Sequence, residues 1–498
     1  MKLLKAVFFF MFPCVILAQS HFSINHFTVK GDIQEILAED LDRDGLKELV
    51  VIHHVDSNES SRRFISIFWA EPGCKYKQSN SFELEVPGRY SIYDFGSLPG
   101  EKEEVLLLMS VNAADYFRWV NHKLEGPNRL VNFSSQLIQL SDGSRLLYND
   151  AFFDWNKDGA NELMVMRMNE ADIFYFRQNK WLQTTIEIPM DAFYFSASNL
   201  RDAFPHGEVR VDYWTPSFFL ADRDGDGKSE LFAASNKKIW VYKQGADNIY
   251  SPKPFAKLAP RIFPDTPSDR RRSQINMQVV DIDRDNRADL IVNLQQGSFF
   301  NQKSSVKIFY GKDNWTDPAN KNPKPGWASD FTGWVVGPFV MDVNSDNNLD
   351  LVAPVVEVGL MEAMKAMVVK EFPFNIRYYF PVNNTLPAQP TSMDMINLRT
   401  DFSVGRMVSG FPSINADFNG DGVADLIYGK SDQEISVVIK DRKGQKTARQ
   451  ETIKIDTPLL PYTDDLNGDK KSDIILYYAQ QENGKHGDFN VLINQGGW

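Results

Sequence analysis

Acidic side chains at a fixed spacing are the chemically most informative feature of this 498-residue sequence. The clearest copy is residues 417–425, with oxygen-bearing side chains at positions 1, 3, 5 and 9 and a glycine at position 6. Carboxylates packed this closely repel one another unless a cation offsets their charge. Hard oxygen ligands on a short turn suit calcium, which takes six to eight of them, and no thiol or imidazole is in place for zinc. The spacing therefore predicts a calcium site.

Seven copies of this nine-residue loop occur, so up to seven structural calcium ions are predicted. The expected side-chain ligands are Asp40, Asp42, Asp44, Glu48, Asp154, Asn156, Asp158, Glu162, Asp222, Asp224, Asp226, Glu230, Asp281, Asp283, Asp285, Asp289, Asp342, Asn344, Asp346, Asp350, Asp417, Asn419, Asp421, Asp425, Asp465, Asn467, Asp469 and Asp473. The backbone carbonyl at position 7 and a water molecule would complete each set. A further loop, starting at Asp94, keeps the turn residues but lacks the carboxylate spacing, and we predict that it binds no metal.

Position 6 needs a residue that tolerates the left-handed backbone conformation. Four of the seven loops have glycine there, and two have asparagine, the next-best residue type. The last loop has Lys470 at this position, so its site is predicted to be the most strained.

Two other interpretations of the loops are weaker. An EF-hand shares the first six positions but needs a bidentate glutamate at position 12 and flanking helices. Position 12 here is Val51, Ala233, Val292 or Tyr428, in strand-like sequence. Metal-free acidic turns are the simpler alternative, but seven copies in register count against them. Without the two lysines near the N-terminus the formal charge is −12 − 2 = −14, which seven divalent ions would neutralise.

The net charge of −12 also limits the possible partners. It argues against binding of nucleic acid and of anionic membrane surfaces. A soluble monomer whose partner is a protein or a glycan is expected.

The loops recur about every 60 residues, and each is followed by an apolar, strand-like run. This period is long for a solenoid coil and suits one four-stranded blade of a β-propeller. Eight units predict an all-β, eight-bladed propeller, with seven blades as the alternative. The segments before the first loop and after the last together have the length of one blade. A strand near residues 22–29 should therefore complete the last blade and close the ring.

Three regions depart from the blade pattern. Residues 250–275 and 311–330 carry clustered Pro, Asp and Asn and are predicted to be long loops between strands. Residues 355–410 are predicted to form an insert whose run 359–372 is helical, because it is rich in helix formers and ends before Pro373. This helix would either pack against the propeller as a plug or bind a partner. Trp315 and Trp327 fall on loop-like sequence and are weak candidates for ligand binding, with core packing as the alternative.

The N-terminus has the pattern of a secretory signal peptide. Lys2 and Lys5 precede an apolar run over residues 6–17, and a cleavage point between Ala18 and Gln19 is plausible. Residues 1–18 are the predicted signal and residues 19–498 the mature propeller, which places the protein outside the cell, in the periplasm or at the cell surface. An uncleaved membrane anchor and a lipid anchor at Cys14 are the alternatives. Cys74 would then have no internal partner, so no disulfide is expected.

The loop pattern, the strand after it and the repeat period resemble FG-GAP repeats, also called VCBS-type repeats. These are known from integrin alpha-subunit propellers and from many exported bacterial proteins. The resemblance implies that each loop joins the first two strands of a blade and that its calcium is mainly structural. The Phe-Gly and Gly-Ala-Pro signatures that name the family are mostly missing here, so the bacterial VCBS-type branch is the closer match.

Signs of catalysis are few. The seven histidines are scattered, and nucleophile, phosphate-binding and zinc-protease motifs are missing from the sequence. We therefore predict no catalytic residues and an exported, calcium-stabilised propeller that acts as a binding or scaffold module for a protein or glycan. The alternative is a carbohydrate-active enzyme, such as a calcium-dependent polysaccharide lyase, by analogy of fold alone.

Overall fold

β-Branched and aromatic runs form antiparallel strands throughout the computed structural model. The structure describes residues 20–56, 61–73, 75–138, 145–196, 209–235, 238–258, 273–297, 301–357, 369–401, 406–407, 410–458, 460–478 and 487–498. The predicted signal peptide, residues 1–18, lies outside the described residues. Strand β1 (Phe22–Thr28) comes first in the described part of the chain.

Eight sheets follow one another along the chain, and we number them as blades 1 to 8. Blade 1 contains β2 (Asp32–Glu39), β3 (Glu48–Asp56), β4 (Ser61–Glu71) and β5 (Lys75–Val86). Blade 2 contains β6 (Ile92–Ser97), β7 (Glu104–Met109), β8 (Ala113–Val120), β9 (Lys123–Asn132) and the short β10 (Leu147–Tyr148), which lies parallel to β6. Blade 3 contains β11 (Phe152–Phe153), β12 (Glu162–Arg167), β13 (Glu170–Arg177) and β14 (Lys180–Glu187). A separate hairpin, β15 (Asp191–Ser196) and β16 (Val209–Trp214), precedes blade 4.

The second half of the ring repeats this order. Blade 4 contains β17 (Ser217–Ala221), β18 (Glu230–Ser235), β19 (Lys238–Tyr242) and β20 (Ala256–Leu258). Blade 5 contains β21 (Ser273–Val280), β22 (Asp289–Gln296), β23 (Lys303–Phe309) and β24 (Trp327–Thr332), with a 3-10 turn at Gly311–Asp313. Blade 6 contains β25 (Trp334–Val335), β26 (Phe339–Met341), β27 (Asp350–Val356), β28 (Glu371–Tyr379), β29 (Ser392–Asp401) and β30 (Arg406–Met407). Blade 7 contains β31 (Ser413–Ala416), β32 (Asp425–Ser431), β33 (Glu434–Lys440) and β34 (Lys446–Lys454), and blade 8 contains β35 (Tyr462–Asp464), β36 (Asp473–Tyr477) and β37 (Asp488–Asn494).

The ring is closed by the N-terminal strand, as predicted. β1 pairs antiparallel with β37 over its whole length and forms the outer strand of blade 8. Its buried Phe22 packs edge-on against Phe418 of blade 7, and its buried Phe27 packs against Phe68 of blade 1. The two ends of the chain therefore meet in one sheet, which leaves no free edge on β37.

The core consists of eight apolar clusters, and each lies between two neighbouring blades. The alternation of side chains along a strand explains this arrangement. In β3, Leu49 and Val51 face the cluster shared with blade 8, whereas Val50 and Ile52 face the cluster shared with blade 2. β3 is thus buried on both faces and reads as a continuous apolar run, and β18 and β22 show the same pattern. Eight interfaces between eight blades confirm the predicted blade number.

The predicted insert is largely part of blade 6. β28 and β29 fall inside the range 355–410 and are hydrogen-bonded strands of that blade. Residues 358–368 lie outside the described residues, so most of the predicted helix is untested. Its last two residues, Glu371 and Phe372, are in β28, and there the helix prediction is wrong. The reason is the strand-like alternation after them, in which Phe374, Ile376 and Tyr378 are buried.

Candidate metal centres

Six of the seven acidic loops join the first two strands of their blades, as the resemblance implied. The loop of blade 6 joins β26 to β27, because two short strands, β25 and β26, pair with β27 in place of one first strand. We name each loop by its blade, so blade 7 carries residues 417–425. The side chain at position 9 always belongs to the first residue of the strand that follows the loop. These residues are Glu48, Glu162, Glu230, Asp289, Asp350, Asp425 and Asp473. Because the strand order is the same in every blade, the loops share one face of the propeller.

The loops have a common internal hydrogen-bond pattern. In blade 7 the N–H of Gly422 donates to Asp417 Oδ2 at 2.7 Å, and the N–H of Val423 donates to Asp421 Oδ1 at 2.8 Å. The same two bonds, from position 6 to position 1 and from position 7 to position 5, occur in every one of the seven loops. The loops are therefore seven copies of one conformation rather than seven unrelated acidic turns.

Two positions in each loop have positive φ. The prediction for position 6 is confirmed, since φ is 82° at Gly422, 65° at Asn347 and 66° at Lys470. The sequence reasoning missed position 4, which has positive φ in all seven loops. Its residues are Arg43, Lys157, Gly225, Arg284, Ser345, Gly420 and Gly468. Glycine at position 4 in three loops is the signal that could have predicted it.

Among the described residues, four pairs of neighbouring loops are joined by a hydrogen bond from the backbone N–H at position 8: blades 5 to 4, 7 to 6, 8 to 7 and 1 to 8. The N–H of Ala288 in blade 5 donates to the carbonyl of Asp222 in blade 4 at 2.6 Å. The N–H of Ser472 in blade 8 donates to the carbonyl of Asp417 in blade 7 at 2.7 Å. The N–H of Lys47 in blade 1 donates to the carbonyl of Leu466, at position 2 of the blade 8 loop, at 3.0 Å. The order of one loop therefore supports the order of the next.

The carboxyl group at position 9 is buried in every loop, with at most 3% exposure. Burial raises its pKa, to about 8 for Glu48 and Glu162 and to about 7 for Asp289, Asp350, Asp425 and Asp473. Neighbouring loop carboxylates push the pKa in the same direction, and backbone N–H donors oppose them. A cation bound at this point would reverse the balance, because it favours the ionised carboxylate.

The oxygens of the loops fit a hard divalent cation. Three buried carboxylate oxygens have no hydrogen-bond partner: Asp40 Oδ1, Asp283 Oδ1 and Asp350 Oδ1. Ligand oxygens also gather within 4.8 Å of one another in three loops. These groups are Asp40, Asp42 and Glu48; Asp222, Asp224 and Glu230; and Asp281, Asp283 and Asp285. Unpaired buried oxygens are costly unless a proton or a metal satisfies them. The loops could therefore hold metal ions through oxygen ligands alone.

The second blade has a different arrangement at this place. Asp94 was predicted to start its loop, but the residue lies within β6 and is buried. The counterpart of position 9 is Glu104, the first residue of β7, and Arg43 of blade 1 binds it at 2.8 Å. An arginine from the neighbouring loop thus supplies the positive charge. Asp94 instead accepts hydrogen bonds from the N–H groups of Ala151 and Phe152 in blade 3.

Asp94 gives a prediction about pH. Burial raises its pKa to about 7 despite three backbone donors, compared with an unfolded value of about 3.9. A raised native pKa means that its contribution to stability is full below about pH 4 and is lost as the pH rises through 7. Asp94→Asn, which resembles the protonated acid, is expected to stabilise the protein by about 1–3 kcal/mol at pH 8.5 and by little at pH 4.5. Urea unfolding at the two pH values measures this.

The control for this prediction is Asp94→Ala, which removes the acceptor altogether. It is expected to destabilise the protein at both pH values by about 1–3 kcal/mol, because the two N–H groups of blade 3 lose their partner. An Asn variant whose advantage does not grow with pH would contradict the assignment.

Trp315 and Trp327 do not form a surface site. Trp315 is 1% exposed, packs in the cluster between blades 4 and 5, and donates its indole N–H to the carbonyl of Ala288 at 2.7 Å. Trp327 is 7% exposed and starts β24, with its indole N–H bonded to the carbonyl of Pro387. The weak prediction of ligand contact required exposed rings, and the alternative of core packing is what the structure shows.

A polar cleft of about 630 Å³ lies between blades 7 and 8, on the face opposite the acidic loops. Its position follows from the strand order, because its residues come from the turn after β32, the end of β34 and the start of β37. The lining side chains are His26, Ser431, Gln433, Glu434, Lys454, Ile455, Asp456, Tyr478, Asp488 and Asn490. His26 reaches the cleft from the closing strand β1 and bonds to Asn490 Oδ1 at 3.1 Å. No pattern in the sequence predicts this cleft, since its residues converge only after the ring closes.

Comparison with known families supports the repeat assignment in one part of the chain. Residues 222–292, from the loop of blade 4 to β22 of blade 5, match the model of the FG-GAP-like repeat. No curated protein matches the sequence. An eight-bladed propeller that carries an FG-GAP-like repeat is thus the class of protein defined by fold and sequence.

Several solved structures are similar at low identity. A lectin of Agrocybe aegerita that recognises non-reducing terminal N-acetylglucosamine is 13% identical, with 93% of this chain and 100% of the lectin covered and a TM-score of 0.38. The biofilm matrix protein Bap1 of V. cholerae is 12% identical, with 94% and 88% covered and a TM-score of 0.37. The WD40 domain of SCAP from fission yeast is 12% identical, with 96% and 95% covered and a TM-score of 0.42. Scores at this level carry no argument about ligands.

In the described part of the chain, no helix has the length and apolar character needed to cross a lipid bilayer.

Proposed function

We propose that this chain is an exported propeller, stabilised by calcium, that acts as a binding module for a protein or glycan partner. The observation that carries the calcium part is the common geometry of the seven loops. Each loop offers three or four carboxylates and, in blades 3, 6, 7 and 8, one asparagine amide oxygen at position 3. Calcium prefers such oxygen ligands on flexible turns, and its bound charge would satisfy the buried position-9 carboxyl.

The proposed placement outside the cell rests on the N-terminal sequence. Export also agrees with the choice of metal, because extracellular calcium is abundant enough to fill sites of modest affinity. The ions would stabilise one face of the ring, where each would hold together the two strands that its loop connects.

The cleft between blades 7 and 8 is the proposed binding surface. Its polar side chains offer both donors and acceptors, as the recognition of a hydroxylated or peptide ligand requires. The acidic loops lie at the other end of the blades, so the stabilising ions and the ligand would occupy separate faces. This division leaves the ring rigid while the cleft contacts a partner.

A pull-down and a glycan array with the purified protein test this proposal. Lys454→Ala and Asn490→Ala, which alter the cleft, are expected to weaken binding of any hit at least tenfold. Lys257→Ala in blade 4 is the matched control, because Lys257 is exposed and distant in the ring, where it pairs with Glu187. A hit that is equally bound by the cleft variants would refute this surface. Cleavage of a uronate polymer, seen as new absorbance from an unsaturated product, would instead favour the lyase.

A further inference from the structure

The acidic loops of blades 1, 4 and 5 have the same ligand set but different surroundings. Each has four carboxylates, at positions 1, 3, 5 and 9, whereas the other loops have asparagine at position 3. In blade 4, Lys243 Nζ lies 2.9 Å from Asp224 Oδ2 and 3.5 Å from Glu230 Oε1. In blade 5, Lys312 Nζ lies 2.6 Å from Asp283 Oδ2. In both blades an ammonium group therefore binds oxygens that a metal ion would use.

The place of Lys243 in the sheet explains how it reaches the loop. Leu231 pairs with Tyr242 across β18 and β19, so the next position brings Lys243 opposite Glu230, the position-9 residue. In the other six blades with an acidic loop, the residue at this place is apolar or aromatic. Continuing the strand registers by one position gives Trp69, Tyr175, Tyr310, Phe380, Ile439 and Ile493. Among the described residues, Lys243 is thus the one cation at this structural position.

Blade 5 reaches the same result by a different route. Its counterpart position is Tyr310, and Lys312 follows it in the 3-10 turn Gly311–Asp313. The ammonium of Lys312 lies 4.5 Å from the Tyr310 ring centre, and its hydrogen bond to Asp283 completes the contact. Two separate elements thus bring a lysine to position 3.

Blade 7 shows that a nearby lysine is not enough. Lys440, at the end of β33, donates its backbone N–H to Asp425 Oδ1 at 2.8 Å. Its ammonium group turns away from the loop and binds Asp394 Oδ2 of blade 6 at 2.8 Å, where both side chains are buried. Among the described residues, no lysine ammonium group therefore bonds to the oxygens of the blade 7 loop. In blade 1, Arg43 likewise points to Glu104 of blade 2.

We propose that Lys243 and Lys312 are resident counter-cations that make the loops of blades 4 and 5 weaker calcium sites than the loop of blade 1. The inference rests on the proposed calcium binding and goes beyond it, because it predicts which sites differ. Calcium must displace the ammonium group in blades 4 and 5, whereas blade 1 offers the same four carboxylates with no competing lysine among the described residues. At low calcium concentration the two lysine ammonium groups would offset the carboxylate charge in these loops, so the ring would not lose all its stabilising cations at once.

Equilibrium dialysis of the purified chain with radioactive calcium tests the proposal. The wild type is expected to bind calcium in at least two affinity classes. Lys243→Met and Lys312→Met should each move one calcium from the weak class to the tight class, with a dissociation constant at least tenfold lower. Lys257→Met is the matched control, since Lys257 of β20 lies 4.0 Å from the Trp240 ring in the same blade and pairs with Glu187 of β14. Its isotherm should match that of the wild type.

A reverse variant keeps the test independent of how well the lysine variants fold. Tyr175→Lys places a cation opposite Glu162 in blade 3, and it should weaken one tight site at least tenfold. Seven calcium ions bound by the wild type with one common affinity would overturn the inference, as would a Lys243→Met isotherm equal to that of Lys257→Met. A wild type that binds no calcium would instead refute the proposed function itself.

Discussion

Deletion of residues 19–31 is expected to destabilise the protein by roughly 5–10 kcal/mol, or to prevent folding, because it removes the strand that closes the ring. β1 makes seven residue pairs with β37, and it contributes two buried phenylalanines to two different blade interfaces. Truncation of a buried phenylalanine to alanine alone costs about 3–5 kcal/mol. Deletion also exposes the backbone of β37 as a free edge, where chains can aggregate.

Point variants of β1 distinguish the effect of lost side-chain packing from the effect of removing the N-terminal residues. Phe22→Ala and Phe27→Ala are expected to cost about 3–5 kcal/mol each in urea unfolding, because both rings are buried. Ile24→Ala is the matched control on the same strand, and a change below about 1 kcal/mol is expected because that side chain is 49% exposed. A deletion variant that unfolds at the urea concentration of Ile24→Ala would show that the strand does not hold the ring closed.

The closure and the blade number could be predicted because they depend on counting. A fixed loop spacing recurs along the chain, and the terminal segments add up to one blade, so no knowledge of side-chain contacts is needed. The ligand positions within each loop could be predicted as well, since ligand spacing is a local property of the sequence. The spacing does not show which side chains surround each loop. Lys243 lies 13 residues beyond Glu230 in sequence, and only the register of β18 and β19 brings them together.

The burial of two tryptophans and the start of β28 also depend on tertiary contacts that are not visible in the sequence. Trp315 and Trp327 lie in Pro- and Asn-rich sequence, which is typical of exposed loops, yet the rings fill gaps between blades. Burial of a large aromatic ring outweighs the polarity of its neighbours. In the same way, Glu371 and Phe372 have acceptable helix propensity, but pairing with Arg399 and Leu398 places them in β28. Tertiary pairing overrides local propensity at such places.

The hairpin of β15 and β16 was missed for a related reason. The interval from the loop of blade 3 to that of blade 4 is 68 residues, which is longer than the typical spacing of about 60. The extra residues form a two-stranded hairpin outside the blades, on which Tyr213 and Trp214 are 41% and 45% exposed. Interval length alone does not distinguish a long loop from an added hairpin.

Removal of calcium with a chelator is expected to lower the melting temperature by about 10 °C or more. A bound ion at 100 times its dissociation constant stabilises the native state by about 2.7 kcal/mol, so the five loops without a competing lysine from a neighbouring strand or turn give roughly 13 kcal/mol. An unfolding entropy of about 2.1 cal/mol/K per residue amounts to roughly 1 kcal/mol/K for a chain of this size. The backbone hydrogen bonds that join the loops of blades 6, 7, 8 and 1 are expected to couple the loss among those four loops. Differential scanning calorimetry with and without chelator measures the shift.

The specificity of this effect distinguishes a calcium site from general screening of charge. Excess calcium should restore the melting temperature, whereas magnesium should not, because it demands a smaller octahedral site and gives up its water reluctantly. Asp421→Asn in the loop of blade 7 is expected to remove about 2–3 °C of the calcium-dependent shift, the share of one site. Asp432→Asn, at an exposed turn of the same blade, should leave the shift unchanged. A melting temperature that responds to neither chelator nor calcium would contradict the calcium sites. The buried position-9 carboxyls would then be neutralised by protons, and the protein would lose stability as the pH rises through about 7 to 8.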